Sequence, residues 1–348
     1  MSSADVDVLV VGAGHAGLGV AARLLTRGRS PVIVEADARV GETWRRRWAS
    51  LRLFTPRFVN GLPGMRFPDG DDAFPGKDEV AAYQERYAEW LRVPVRLDSS
   101  VTRVRRVGDL FEATVAAESM RAKNVVIATG AHRTPRIPAF SSRLDPTVLQ
   151  LHSSGYGRAG ALPPGPVLVV GGRNSGAEIA VELAGAHEVS LTFDSRTRYA
   201  PSRWRSTGWW RAAQFRSWVL RGAIVPGPLP WPLKPPAGRW VEVDVRRAER
   251  EGILRLVPRV VDAARIEVRF ADGSVERPRT VIWATGFRND DSWVDVPSGQ
   301  DGIAVGPHRR GPVPGLWIVR ASLLASLHWG ALEAAADIAR SRASTARS

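Results

Sequence analysis

Two glycine-rich hexapeptides hold the residues best suited to chemistry. The first, Gly12-Ala13-Gly14-His15-Ala16-Gly17, follows the Val-rich run Asp5 to Val11 and opens a stretch with Leu18, Ala21, Ala22 and Leu25 at helical spacing. In a GxGxxG turn so placed, Gly12 permits the tight turn, Gly14 lets a diphosphate approach the backbone, and Gly17 lets helix and strand pack closely. The helix start, entered through Ala16, turns unpaired N–H groups and a positive dipole end on the phosphates. Glu35 closes the next strand (PVIVE) ahead of Ala36 and offers a carboxylate to ribose hydroxyls. The chemistry of this pattern is dinucleotide binding.

The second hexapeptide, Gly171-Gly172-Arg173-Asn174-Ser175-Gly176, follows the strand Val167 to Val170 and precedes a helix over Ala177 to Ala184. Its acid, Asp194, stands at the same 23-residue interval from the first glycine as Glu35 does from Gly12. Equal spacing in two dissimilar stretches argues for two nucleotide-binding units. Arg173, however, stands where close backbone approach is wanted. Its side chain fills the diphosphate position, swings away, or binds phosphate through its guanidinium. Asp194 repels a 2′-phosphate and suits the free 2′-OH of NADH, while Arg196 and Arg198 follow within reach of NADPH. The ends of adjacent parallel strands lie side by side, so an Arg173–Asp194 ion pair across the adenosine site is one expectation and two solvated charges the other.

The elements that must position these turns are legible as alternating strands and helices. The segments VVIATG (Val125 to Gly130) and VIWATG (Val281 to Gly286) read as buried strands whose Thr129-Gly130 and Thr285-Gly286 ends admit a ligand or a second domain. The fold class is α/β, with two Rossmann-type dinucleotide-binding domains, the second inserted in the first. The expected boundaries are 1–160 with 280–340 for the first domain and 163–279 for the insert. Leu162 to Pro166 (LPPGP) is the linker, the closing helix is Ala331 to Arg340, and 341–348 is a flexible tail.

Composition narrows the function classes. The 348 residues are 44% hydrophobic and 24% charged, which is globular. No run approaches the ~20 apolar residues of a membrane span, and Met1 leads into a strand without room for a signal peptide, so a cytoplasmic location is expected. There is no cysteine, which excludes disulfides, thiolate zinc, iron–sulfur clusters and a redox-active dithiol. The net charge of +14 is almost all arginine, with Lys77, Lys123 and Lys234 the only lysines. It is spread along the chain rather than clustered, which argues against nucleic acid. The Trp-, Arg- and Pro-rich stretch Trp204 to Trp240 reads as a lid or packing segment, with membrane-surface contact the weaker alternative. His152 and His328 lack a catalytic or metal-ligating partner at readable spacing, so structural roles are expected of both.

Gly41-Glu42-Thr43-Trp44-Arg45-Arg46-Arg47-Trp48, continuing to Pro56, resembles the second flavin-contacting motif of flavin-containing monooxygenase-like proteins, the class B flavoprotein monooxygenases and their bacterial relatives. FPGKDEVAAYQERYAEWL, LHSSGY (Leu151 to Tyr156) and WATGFR (Trp283 to Arg288) extend the resemblance over nearly the whole chain. It implies FAD at the first turn, NADPH or NADH at the second, and a small-molecule substrate with O2. One oxygen atom would then reach the substrate through a peroxy adduct of the flavin. The resemblance assigns to FAD Gly12, Gly14, Ala16, Gly17, Glu35, Ala36, Gly41, Thr43, Trp44, Trp48, Val101, Ala128, Thr129 and Gly130, with Trp44 beside the flavin. To the nicotinamide cofactor it assigns Gly171, Arg173, Asn174, Ser175, Gly176, Asp194, Arg196, Thr285 and Gly286. Departures occur at Pro146 and Val148 before LHSSGY, at Phe54 and Thr55, where eukaryotic members carry an asparagine nearby, and at Arg320, where relatives have glycine after the last strand. The disulfide-reductase branch of the same architecture needs a cysteine pair and is excluded. The rival function is a flavoprotein with a degenerate nicotinamide site, acting as an oxidase, a non-redox catalyst or a binding partner.

Overall fold

The structure, a computed structural model, describes residues 6–193, 197–199, 239–241, 243–297, 303–306, 309–320 and 334–340. Asp194, Arg196, His328, nearly all of Trp204 to Trp240 and the tail 341–348 lie outside the described residues. The chain forms two compact units, one from residues 1–45, 57–134 and 287–348, the other from 46–56 and 135–286. Both are α/β, and the second interrupts the first.

In the first unit, β1 (Val6–Val11) leads through the glycine turn into α1 (His15–Leu25) and returns as β2 (Pro31–Val34). β1 pairs in parallel with β2 on one side and with β6 (Glu118–Ile127) on the other. β2 pairs in parallel with β3 (Val95–Arg96), and the strand Leu316–Ile318 runs parallel to the end of β6. The carboxyl ends therefore line up in the order β3, β2, β1, β6 and Leu316–Ile318, with Val34, Val11 and Ile127 in register. β6 is long because one of its sides has two neighbours in turn: its first half closes an antiparallel meander with β4 (Val101–Val107) and β5 (Leu110–Val115), and its second half takes Leu316–Ile318. Val8, Leu9, Val125 and Ile127 are fully buried, as a parallel strand covered on both faces requires.

Two helices brace the turn region. α2 (Glu42–Arg45) is a single turn lying on α3 (Lys77–Leu91). α3 begins where Glu79 accepts the Gly76 N–H at 2.8 Å, and ends at Arg92 in the left-handed region.

The second unit has a five-stranded parallel sheet in the order Arg255–Val257, Val189–Thr192, Val167–Val170, Thr280–Trp283, Leu149–His152. α4 (Asn174–Leu183) crosses from Val167–Val170 to Val189–Thr192. The expected boundaries differ from this arrangement. Leu149–His152 and Thr280–Trp283, which those boundaries place in the first domain, pair with each other in the second unit's sheet, Leu149 opposite Thr280 and His152 opposite Trp283. A buried parallel strand reads alike in either sheet, and only its pairing partners decide where it belongs.

At the amino edge of β1, Arg29 donates through Nε and Nη2 to the two Asp7 oxygens at 2.7 and 2.8 Å. Its Nη1 donates to the Ile338 carbonyl at 2.7 Å, tying the closing helix to the sheet. The Arg29 side chain is only 4% exposed, so losing one partner strands a poorly solvated charge. Arg29→Met should lower stability by about 3 kcal/mol, read as a lower urea midpoint at unchanged m-value.

Candidate functional site

The first glycine turn is shaped by backbone crowding. Gly12 has φ +106°, and a Cβ there would lie 2.7 Å from the Ala128 carbonyl oxygen. A Cβ on Gly17 would collide with the Gly12 carbonyl oxygen. Both glycines are thus required by the protein itself. Gly14 is different: it caps α1 in extended backbone (φ −76°, ψ −175°) that any residue adopts, and a Cβ there would meet nothing within 4 Å. Folding does not demand glycine at this position. The open space over it, beside a helix start with no side-chain cap and no acid in its first turn, is a cradle for an anion. FAD, with its diphosphate there, fits these residues.

Glu35 does more than the sequence revealed. Its Oε2 accepts the Ala13 N–H at 2.7 Å and its Oε1 accepts the Asp37 N–H at 3.2 Å. The carboxylate therefore fixes the turn itself, while its remaining lone pairs can still accept from ribose hydroxyls. Ala36 is exposed beside it, and Val101 opens β4 two residues after Ser99, whose N–H donates to the Glu35 carbonyl at 2.7 Å. At the end of β6, Ala128 donates to the Val11 carbonyl at 2.8 Å and presses its own carbonyl over Gly12. Thr129 and Gly130 (φ +77°) then line a pocket that also takes in Arg288, Asp290, Asp291 and Arg320.

The motif from Gly41 to Pro56 divides between the units, with Gly41 to Arg45 in the first and Arg46 to Pro56 in the second. Gly41 (φ +83°) has a packing reason, since a Cβ would lie 2.7 Å from the Ala81 carbonyl of α3. Arg45 clamps α2, donating to Glu85 and to the Val40 carbonyl, each at 2.7 Å. On this turn Thr43 is exposed and Trp44 half-buried. In the second unit Trp48 is 3% exposed, and its indole N–H has no partner among the described residues.

The second glycine turn repeats the backbone of the first. Gly171 has φ +116° beneath the Ala284 carbonyl, and a Cβ on Gly176 would collide with the Gly171 carbonyl oxygen. Arg173 takes the extended cap position (φ −87°, ψ −177°) ahead of Asn174 and Ser175 in α4, and its side chain is exposed. It therefore occupies the position that Gly14 leaves open in the first turn. The expected Arg173–Asp194 pair involves a residue outside those described.

His152 is held at both nitrogens. Ser154 donates to Nδ1 (N–H at 3.2 Å, with the hydroxyl at 2.8 Å), and Nε2 donates to the Gly286 carbonyl at 2.9 Å. Gly286 follows Thr285, whose hydroxyl donates to the Arg136 carbonyl. Burial, followed by the nearby Arg47 guanidinium, pushes the imidazole pKa down, against the opposing bond to Gly286. The expected structural role of His152 agrees with this geometry. Sequence reasoning missed two carboxylates. Glu182 in α4 accepts from the buried Tyr156 hydroxyl at 2.8 Å and from Ser50. Asp291 is paired with Arg320. Neither sits in a motif, and no spacing signal marks them.

The comparisons with known proteins agree on one family. The sequence profile described as "Pyridine nucleotide-disulphide oxidoreductase" matches residues 9–207. An uncharacterized CzcO-like oxidoreductase of Geobacillus kaustophilus is 35% identical, with 90% of each chain covered. An indole-3-pyruvate monooxygenase of Oryza sativa is 30% identical over 82% of this chain and 78% of its own. Among solved structures, a flavin-containing monooxygenase from Stenotrophomonas maltophilia superposes with TM-score 0.77 at 26% identity, covering 97% of this chain and 98% of its own.

Gly14→Val should leave the urea midpoint close to wild type but weaken FAD binding at least tenfold, about 1.4 kcal/mol. Gly12→Ala, forced against Ala128, should instead lose stability. The pKa of His152 is lower in the folded than in the unfolded chain, so its stabilising contribution is complete above about pH 6.5 and lost as pH falls through the folded value. His152→Asn should flatten that acidic limb in urea midpoints measured against pH.

Proposed function

Because the chain belongs to the pyridine nucleotide–disulphide oxidoreductase family, in its flavin-monooxygenase-like branch, we propose an FAD-dependent enzyme that takes electrons from NAD(P)H and inserts one oxygen atom of O2 into a small organic substrate. Its class is flavoprotein monooxygenase, an oxidoreductase. The single observation that carries the cofactor assignment is the space over Gly14. Gly12 and Gly17 are glycine because the protein's own backbone requires it, whereas Gly14 is glycine with nothing of the protein near it.

FAD, when bound, supplies the redox and oxygen chemistry, and the protein supplies position and electrostatics. The α1 N–H groups receive the diphosphate, Glu35 holds the turn and offers acceptors to the ribose, and Thr129-Gly130 provides an open strand end for the rest of the nucleotide. The sequence carries no cysteine, so electrons have no dithiol to pass through, as the reductases of this family name would need. No described helix is long and apolar enough to cross a membrane.

A second reading rests on Arg173. Its side chain stands at the position that the first turn keeps open, so the nicotinamide site is either obstructed or built around a guanidinium that binds phosphate. Anaerobic mixing of the FAD-loaded protein with NADPH, and separately with NADH, distinguishes the two. Rapid bleaching of the visible flavin absorption by either supports the monooxygenase. Colour that persists with both sinks it in favour of a flavoprotein that takes no hydride from nicotinamide. Should Arg173 obstruct the site, Arg173→Gly tightens nicotinamide binding roughly tenfold; should it bind phosphate, the same change weakens it.

A further inference from the structure

The sheet order of the first unit predicts the course of a bound nucleotide. Ligands of such sheets lie outside the carboxyl ends of the strands, and here those ends are in register across β2, β1, β6 and Leu316–Ile318. Glu35 follows β2, Gly12 and the start of α1 follow β1, Ala128 to Gly130 follow β6, and Val319-Arg320 follow the last strand. Val319 donates to the Ile127 carbonyl at 2.9 Å, which keeps this end flush with β6. A nucleotide with its sugar at Glu35 and its diphosphate at α1 is thereby directed, in its other half, toward Arg320. At about 4.8 Å per strand, two spacings separate the Gly12 and Val319 positions by about 10 Å, the scale of the arm between a diphosphate and a flavin ring.

Arg320 is built into this end rather than draped over it. Its side chain is 12% exposed and that of Asp291 is 3% exposed. Arg320 Nη1 donates to Asp291 Oδ2 at 2.8 Å and Nη2 donates to Oδ1, while the Ile303 N–H also donates to Oδ2 at 2.9 Å. Both Asp291 oxygens are thus engaged on the guanidinium's outer fork. Arg320 also lines the pocket with Thr129 and Gly130, and its buried Nε–H, one of three N–H groups not spent on Asp291, has no partner among the described residues. A buried unpaired donor on a charged group costs free energy that a native structure rarely leaves uncompensated. The opposing charges at the pocket, Arg133 and Arg288 with Asp290, are on exposed residues, where water screens them.

We propose that Arg320, locked in place by Asp291, is the donor for the flavin half of FAD, hydrogen-bonding an acceptor of the flavin and favouring its reduced, more negative form. This assignment rests on the FAD reading above and adds to it the residue that tunes the cofactor. A fixed, desolvated donor acts more strongly on an acceptor that gains negative charge than on the neutral one, so its removal should weaken binding of reduced flavin more than oxidised.

The test uses the full chain reconstituted with FAD: wild type, Arg320→Gln, and the double variant Arg320→Met with Asp291→Asn. The double variant avoids stranding a buried carboxylate and carries the test where the single one fails to fold. Folding is checked by circular dichroism, FAD affinity by fluorescence titration, and the preference for reduced over oxidised flavin by the midpoint potential. A folded, FAD-loaded variant is expected to lose that preference at least tenfold, a fall of about 30 mV for a two-electron couple. A folded variant that no longer retains FAD also supports the assignment. A potential equal to that of wild type, with FAD affinity intact, overturns the Arg320 assignment and leaves the FAD reading standing. Wild type that takes up no FAD overturns both.

Discussion

The amino end of α1, which carries no side-chain cap, is the constraint on which the site depends. A helix start leaves its first backbone donors without partners, and here neither a side-chain cap nor an acid satisfies them. Gly12 can turn beneath the Ala128 carbonyl only because it lacks a side chain, and Gly17 can lie against Gly12 for the same reason. These contacts press the helix start against the ends of β1 and β6. Glu35 completes the arrangement by holding Ala13 from the neighbouring strand end. The turn is held by the protein's own contacts, which reduces the ordering left for binding.

The second unit repeats this backbone with a different occupant. Gly171 and Gly176 stand in for Gly12 and Gly17, and the Ala284 carbonyl covers the turn as that of Ala128 does. The two cap residues, Gly14 and Arg173, share an extended conformation open to any side chain. The backbone conformation therefore places no demand for glycine on either cap. That freedom allows one turn to keep an open cradle and the other to present a guanidinium without loss of fold.

Charged side chains with several partners serve as fasteners. Arg29 joins Asp7 on β1 to the closing helix, Glu182 joins α4 to Tyr156 and to the segment bearing Trp48, and Arg320 joins Asp291 at the far end of the sheet edge. Each is a many-partner contact between stretches distant in sequence, and such pairs are costly to break one partner at a time.

The amino-acid sequence by itself determined the α/β class, the two glycine turns, their strand and helix flanks, and the acid that closes the first. Those features follow from local rules: hydrophobic period, the conformations only glycine reaches, and fixed spacing along one strand–helix–strand unit. Only the tertiary structure decided that Leu149–His152 and Thr280–Trp283 belong to the second sheet, since their pairing spans more than a hundred residues. It also decided that Gly41 is glycine for the sake of Ala81, and that Asp291, which sits in no motif, fixes Arg320 beside the end of β6. The physical reason is the same in each case: these are contacts between segments that no periodicity relates, so they exist only once the sheet has brought its strand ends together.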